Sequence, residues 1–333
     1  MTEIIASLNG AFTLAFVVTS MFGLGLATTL RDLLAPLRQV RLVVTMLAIN
    51  FVILPLLAWT MTRLLPLAPD LAIGLILMST VAGAPLAIKT TQIARGNLVV
   101  AGSLVTLQVV VTVLYLPFAL TLLIPDIEVD AVSIAMPLIL QILLPLAAGL
   151  LMNARYDEEA EMTRPIMAEI ANISLATMLV LNLSNVLQIL GLLGTGAIAS
   201  AIVLIVAGLA GGYLLGGPDR ATRRTLALST ANRNFAAAFV LAQDSFAGRP
   251  QVFVMVLAAS LICIAIVLVA AGELGRRQRK RSDIEPNVTC RFHHARRMRC
   301  STRESRIFSS SSSTTWATPT ASPSAARSER RTS

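Results

Sequence analysis

Residues 71–94 read LAIGLILMSTVAGAPLAIKTTQIA, an apolar stretch long enough to cross a membrane but interrupted in its middle. A helix needs about 20 apolar residues to span the ~30 Å hydrocarbon core of a bilayer. In this stretch Pro85 lacks the N–H that a helix interior requires, and Gly83 weakens the helix further. We therefore predict a membrane span that is broken around residues 79–85.

Similar apolar stretches recur along the first 275 residues. Apolar residues make up 55% of the 333-residue chain and charged residues only 14%, about half the share of a soluble domain. Mean hydropathy is +0.75. We predict an all-α membrane protein with nine transmembrane helices, at about residues 8–30, 42–64, 71–94, 98–124, 131–153, 166–190, 195–216, 222–247 and 251–274.

Basic residues are distributed unequally between alternate loops, and this asymmetry predicts the orientation. Cytoplasmic loops carry an excess of Lys and Arg. With an external N-terminus, the external loops hold only Arg63 and Arg249, and the acidic residues Asp126, Glu128 and Asp130 also lie outside. The C-terminus is then cytoplasmic, and the cytoplasmic loops hold Arg31, Arg38, Arg41, Arg95, Arg155, Arg164, Arg220, Arg223, Arg224, Arg276, Arg277, Arg279, Lys280 and Arg281.

The chain changes character after Arg281. Residues 282–333 are basic and rich in Ser and Thr, with too little apolar surface to form a core. We predict a transmembrane transporter domain over residues 1–281 and a disordered cytoplasmic tail over 282–333. The net charge of +9 follows from the loops and this tail, so we expect no nucleic-acid partner.

A second predicted span is also interrupted. Residues 225–234 read TLALSTANRN, and six mostly polar residues at the depth of the bilayer centre are costly unless they line a cavity or are buried in protein. Each break alone could be a proline kink or a polar contact between helices. A pair of broken helices in two halves of a chain is, however, typical of a transporter binding site.

Each break carries a cation at membrane depth. Lys89 follows the first break and Arg233 lies within the second, whereas Glu169 and Asp244 lie towards the ends of spans. The partners of these cations could be the carbonyl ends of the broken helices, which carry partial negative charge, or an anionic substrate. Lys89 could instead extend to the inner surface.

Few residues are available for enzymatic or metal chemistry. The histidines are His293 and His294 in the tail, and Cys263, Cys290 and Cys300 are too scattered for a disulfide framework or a zinc site. No span contains a Ser/His, paired-Asp or His-Glu-x-x-His arrangement. We predict that the protein is not an enzyme and needs no cofactor or metal.

Over residues 8–275 the chain resembles the bile acid:sodium symporter family. The shared motifs are MFGLGL at 21–26, NFVILP at 50–55, ARGN at 94–97 and TLALSTANRN at 225–234. The resemblance implies an inverted-repeat transporter with two crossed discontinuous helices, here without the family's first helix. It also implies a core of spans 2–4 and 7–9, and a panel of spans 1, 5 and 6 against which the core rocks.

The sodium-binding positions that the resemblance implies are largely replaced. A Ser-Asn pair corresponds to Ala87-Ile88, and two hydroxyl positions correspond to Ala101 and Val105. A glutamate corresponds to Ser229, and two glutamines correspond to Asn50 and Arg233. Na⁺ needs oxygen ligands and a compensating charge, and a fixed cation at ~4–6 Å would repel it by about 3 kcal/mol at an effective dielectric of 20. We therefore expect transport without sodium coupling.

The sequence thus predicts a secondary transporter of small organic anions in a lipid bilayer, by resemblance a bacterial inner membrane, that works by alternating access. The alternatives are a membrane sensor or scaffold that does not transport, or an arsenite-exporter-like carrier. The oligomeric state is left open. Gly83 and Pro85 form the predicted helix break, and the predicted substrate and ion crossover site consists of Asn50, Lys89, Thr90, Thr91, Ser229, Thr230, Asn232, Arg233 and Asn234.

Overall fold

The computed structural model describes residues 2–29, 31, 39–124, 130–182, 189, 191–192, 194–284, 288–291 and 299–302. Arg38, Asp126 and Glu128, which contribute to the orientation prediction, lie outside these residues. The chain divides into two compact units, Met1–Arg281 and Ser282–Ser333. The helices, in chain order, are α1 (Thr2–Leu26), α2 (Val40–Ala48), α3 (Leu54–Leu64), α4 (Pro69–Thr80), α5 (Leu86–Ile93), α6 (Leu98–Leu123), α7 (Ala131–Leu138), α8 (Leu144–Arg155), α9 (Asp157–Leu181), α10 (Ala197–Leu215), α11 (Arg220–Ala231), α12 (Phe235–Asp244) and α13 (Pro250–Ile284).

The first unit is an all-α membrane protein. Within the described residues, seven helical segments are long and apolar enough to cross a bilayer. The predicted spans at 71–94 and 222–247 each form two shorter helices, α4 with α5 and α11 with α12. Nine spans, the inverted repeat and the orientation stay predictions. The seven segments are Ser7–Leu26, Val40–Leu64, Leu98–Leu123, Ala131–Arg155, Asp157–Leu181, Ala197–Leu215 and Pro250–Arg279.

The second unit is described only in part. Strand β1 (Val288–Arg291) pairs antiparallel with β2 (Arg299–Thr302), with Cys290 opposite Cys300 in the backbone register. The remainder of the tail that we predicted to be disordered lies outside the described residues. Its disorder and its separation as a domain therefore stay predictions.

Two short π-helical turns, which the sequence reading did not predict, interrupt long helices of the first unit. Ile49–Ile53 separates α2 from α3, and Ile139–Leu143 separates α7 from α8. Each turn is followed by Leu-Pro, at Pro55 and Pro145, where the missing N–H removes a regular hydrogen bond. Such insertions often lie at functional sites, and the first one contains the buried side chain of Asn50.

A tyrosine compensates for one of these prolines. Pro55 cannot donate to the carbonyl of Phe51, four residues earlier, but the hydroxyl of Tyr115 on α6 donates to that oxygen at 2.7 Å. The two aromatic rings also meet edge to face, with centroids 5.0 Å apart. The helix irregularity is thus stabilised by a neighbouring helix, as expected where no water is available.

We expect Tyr115→Phe to lower the free energy of unfolding by about 1 kcal/mol, because it keeps the ring contact and removes one buried hydrogen bond. Thermal unfolding of purified protein in detergent measures the change. Tyr156→Phe is the matched control, since Tyr156 is an exposed residue between α8 and α9. Equal effects of the two substitutions would contradict a stabilising role for the Tyr115 hydroxyl.

Glycines allow two pairs of helices to approach closely. Gly25 of α1 faces Gly149 of α8, and a Cβ on either would collide with the backbone of the opposite helix. Gly208 and Gly212 of α10, and Gly216 directly after it, are spaced four residues apart and lie against α11, where a Cβ would likewise meet backbone atoms. Small residues at such spacing are typical of packing between membrane helices. The α10 contact positions α11, which carries part of the second break.

Candidate functional site

The two helix breaks lie against each other in the core. Ala82 and Arg233 form an isolated antiparallel bridge, and the backbone N–H of Asn234 donates to the carbonyl of Val81 at 3.4 Å. Residues 81–84 and 231–234, which we call the crossing, are all buried. The prediction that both spans are interrupted is therefore confirmed, and the two interruptions meet.

Gly83 and Pro85 shape the first break as their chemistry requires. Gly83 has a φ of +89°, and a Cβ there would lie 2.6 Å from the backbone nitrogen of Val109. Pro85 directly precedes α5 as its N-cap residue, where a missing N–H removes no helical hydrogen bond. Ala82 lies between the end of α4 and Gly83. The hydroxyl of Thr112 accepts from the backbone N–H of Ala82 and donates to its carbonyl, both at 3.1 Å. The backbone N–H and carbonyl of Ala82 are thereby satisfied without water.

Arg233 lies fully enclosed in the crossing. Its guanidinium donates to the carbonyl of Ser79 at 3.2 Å, to Oδ1 of Asn50 at 2.9 Å and to the carbonyl of Thr230. Ser79 and Thr230 lie in the last turns of α4 and α11, where carbonyls lack intrahelical donors. The charge thus faces the negative ends of two half-helices. Its Nε has no hydrogen-bond partner within the described structure.

The other implied sodium positions contain few free oxygen ligands. Ala87, Ala101 and Val105 are fully buried apolar residues. Ser229, also fully buried, donates to Oε1 of Gln108 at 3.2 Å. The sequence reading did not single out Gln108, although a glutamine in the middle of an apolar span was a visible signal.

The other polar residues of the predicted crossover site do not contact one common point, and most of them form separate hydrogen bonds. Asn232 donates to the hydroxyl of Thr90 at 3.2 Å, and Thr230 donates to the carbonyl of Gly208 at 2.7 Å. Thr91 is buried, and its hydroxyl has no hydrogen-bond partner in the described residues. Asn234 caps α12 by accepting from the N–H of Ala237 at 3.2 Å. The hydrogen bonds of Thr230, Asn232 and Asn234 hold the half-helices in place around the crossing.

Lys89 occupies a different environment from Arg233. It is exposed and lines a cavity of about 490 Å³, to which Asn234 also contributes but Arg233 does not. The cavity lies between α1, α9, α5 and the start of α12, and its wall is mostly apolar. The residues that define it include Phe16, Leu24, Leu86, Lys89, Arg164, Asn172, Leu175, Asn234 and Phe235.

Two arginines that were predicted to lie in cytoplasmic loops instead contact the cavity or the end of a helix. Arg164 lies within α9 and lines the cavity. Arg224 is buried and donates to the carbonyls of Ala94 and Arg95 at 3.0 and 3.2 Å, so it caps the end of α5. Nearby, Asp219 caps α11, and hydrogen bonds from Thr222 hold the pKa of its carboxyl below the ordinary value.

Cys263 also lies closer to the crossing than its place in the last span suggested. Its buried sulfur donates to the carbonyl of Ala231 at 3.5 Å. Within the described residues, no group of three or more His, Cys, Asp or Glu side chains is arranged to hold a metal ion.

Three consecutive residues at the far end of α12 contact α1 and the segment that contains α7. Gln243 donates to the hydroxyl of Thr13 at 3.0 Å, and Asp244 accepts from Gln141 at 2.7 Å. Ser245 donates to the carbonyl of Ser133 at 3.3 Å. The start of α12 thus borders the cavity, while its other end is closed by polar contacts.

The chain is similar in sequence to known membrane transporters. The chain is 27% identical over 260 residues to "Probable sodium/metabolite cotransporter BASS1, chloroplastic" of Arabidopsis thaliana, covering 77% of this chain and 64% of that protein. It is 28% identical over 251 residues to "Probable sodium/metabolite cotransporter BASS2, chloroplastic" of Oryza sativa subsp. japonica, covering 74% and 59%. The chain therefore spans less than two thirds of the length of these relatives.

A family model matches more than half of the chain. It covers residues 13–193, from the middle of α1 through the first break to the residues before α10, and its description is Sodium Bile acid symporter family. Of the motifs by which the sequence resembled that family, those at 21–26, 50–55 and 94–97 lie within this range, and the one at 225–234 lies after it. The chain belongs to the sodium bile acid symporter family.

Proposed function

We propose that the protein is a secondary transporter of small organic anions that works without sodium. The observation that carries this proposal is the position of Arg233, whose guanidinium is bound between the carbonyl ends of α4 and α11. At these carbonyl ends, the Arg233 side chain supplies the positive charge that a bound Na⁺ would otherwise bring.

The contacts of Arg233 support this substitution. Asn50, which corresponds to a sodium-site glutamine of the family, gives its side-chain oxygen to Arg233. A Na⁺ within ~4–6 Å of the guanidinium would be repelled by about 3 kcal/mol at an effective dielectric of 20. The positions at Ala87, Ala101 and Val105 offer no side-chain oxygens for a second ion.

The cavity supports an anion as the cargo. Its apolar wall suits a hydrophobic body, and Lys89 supplies a positive charge at one side. A charged side chain beside an otherwise apolar surface fixes the orientation of a bound ligand and selects its charge. A small carboxylate or sulfonate with an apolar body meets both conditions.

The unequal ends of α12 support alternating access. Its first residues border the cavity, and its last residues are closed by the Gln243–Ser245 contacts with Thr13, Gln141 and Ser133. If spans 1, 5 and 6 form the panel, these contacts join the panel to the core at the end of α12 that lies away from the cavity. Breaking them while the opposite side closes would expose the cavity to the other face of the membrane.

Flux through proteoliposomes tests the proposal. We expect a naphthalenesulfonate, whose permanent charge prevents passage through lipid, to leave loaded vesicles at the same rate in sodium as in choline medium. Vesicles without protein are the control. A sodium requirement would contradict the uncoupled mechanism, whereas binding without flux would favour a sensor or scaffold. Arsenite flux that depends on Cys263 would favour the exporter-like alternative.

A further inference from the structure

The cavity contains a second cation that faces the same apolar space as Lys89. Arg164 lies about two turns into α9. Neither Arg164 nor Lys89 forms an ion pair with any residue in the described ranges. The cavity-lining residues in those ranges include no Asp or Glu. Two positive charges that form no ion pair within the described residues therefore border one largely apolar cavity.

The two cations belong to helices with different neighbours. Lys89 is on α5, which packs against α6 and α11. Arg164 is on α9, which packs against α1 and α8. Any rocking of one helix group against the other therefore changes the separation of the two charges. Both groups border the space that a bound anion would occupy.

We propose that Arg164 is a second anion-binding residue and that, together with Lys89, it makes this carrier an exchanger. The inference rests on the transport function proposed above. Closing the empty cavity would strip water from two like charges, which is unfavourable without a counter-charge. A bound anion supplies that counter-charge, so the loaded carrier changes conformation faster than the empty one.

The kinetic consequence is a difference between exchange and net flux. Exchange needs only loaded transitions, whereas net efflux also needs the empty carrier to return. We expect exchange in the wild type to be faster than net efflux by about tenfold or more, since each ~1.4 kcal/mol of extra barrier slows a step tenfold. When equal potassium on both sides and valinomycin hold the membrane potential at zero, a carrier whose empty form moves freely would show no such difference.

Efflux from proteoliposomes loaded with a radiolabelled naphthalenesulfonate measures both rates, with or without the unlabelled compound outside. The ratio of the two rates does not depend on how much protein is inserted. We expect Arg164→Gln and Lys89→Gln to bring the ratio close to one and to weaken binding of the probe several-fold. Arg164→Lys should keep most of the ratio. Arg155→Gln is the matched control, because Arg155 is an exposed cation at the end of α8 that does not line the cavity.

The outcomes separate the inference from the function on which it rests. Wild-type flux with equal exchange and net rates would overturn the exchanger while leaving transport intact. An unchanged ratio and affinity in Arg164→Gln would overturn the role of Arg164. Absence of any flux of the probe would overturn both the transport function and the exchanger.

Discussion

Replacing Arg233 with alanine should lower the free energy of unfolding by about 3–5 kcal/mol, one of the largest effects that a single side chain can have. The substitution removes a buried cation and leaves the carbonyls of Ser79 and Thr230 and the amide of Asn50 without their donor. In a membrane interior no water replaces it. Thermal or denaturant unfolding in detergent measures the loss.

Sodium should distinguish this role from ordinary packing. In Arg233→Gln the crossing loses its fixed charge but regains an oxygen ligand, so we expect Na⁺ to raise the unfolding temperature of this variant relative to choline. The wild type should show no such difference. Arg220→Ala is the control, because Arg220 is exposed at the start of α11. A wild type that is stabilised by Na⁺, or an Arg233→Ala protein of unchanged stability, would contradict a fixed cation in place of sodium.

Replacing Lys89 with alanine should weaken ligand binding and leave the stability of the protein almost unchanged. We expect binding of a naphthalenesulfonate to weaken by about tenfold to a hundredfold, because a charge-assisted contact of ~1.5–3 kcal/mol is lost. Stability should change by less than about 0.5 kcal/mol, since Lys89 is exposed to the cavity. Isothermal titration and thermal unfolding of the same preparation give the two values.

Lys89→Arg, which keeps the charge, is the matched control and should retain most of the affinity. A stability loss in Lys89→Ala comparable to that in Arg233→Ala would show that both cations belong to the crossing. Undiminished flux in the Lys89→Ala, Arg233→Ala double variant would contradict the proposed mechanism altogether.

The broken helices were predictable because their causes are local. Pro85 and Gly83 disfavour a continuous helix by their own backbone chemistry, and the polar run that ends in Asn234 is visible as a gap in an apolar span. The π-helical turns were missed because they depend on a partner elsewhere in the chain. Tyr115, which supports the turn before Pro55, is 64 residues away from Phe51.

The residues of the candidate site could be proposed from the sequence, but their arrangement could not. Sequence reasoning proposed carbonyl ends or a substrate as partners of the two cations, and the structure assigns the carbonyl ends to Arg233 and the cavity to Lys89. Arg164 and Arg224 were read as loop charges, because a basic residue near a span end is usually a topology signal. Only tertiary packing shows that one lines the cavity and the other caps α5.

The guanidinium in the crossing also determines how the membrane potential affects the direction of anion transport. Mobile sodium ions would add their own positive charge to each transport cycle. A potential that is negative inside attracts that charge, so it would help an anion to enter although it repels the anion itself. A side chain adds no charge to the cargo, so an anion that crosses alone is driven outwards by about 2.3 kcal/mol per charge for each 100 mV. An exchange of two equal anions carries no net current, and the potential then has no influence on its direction.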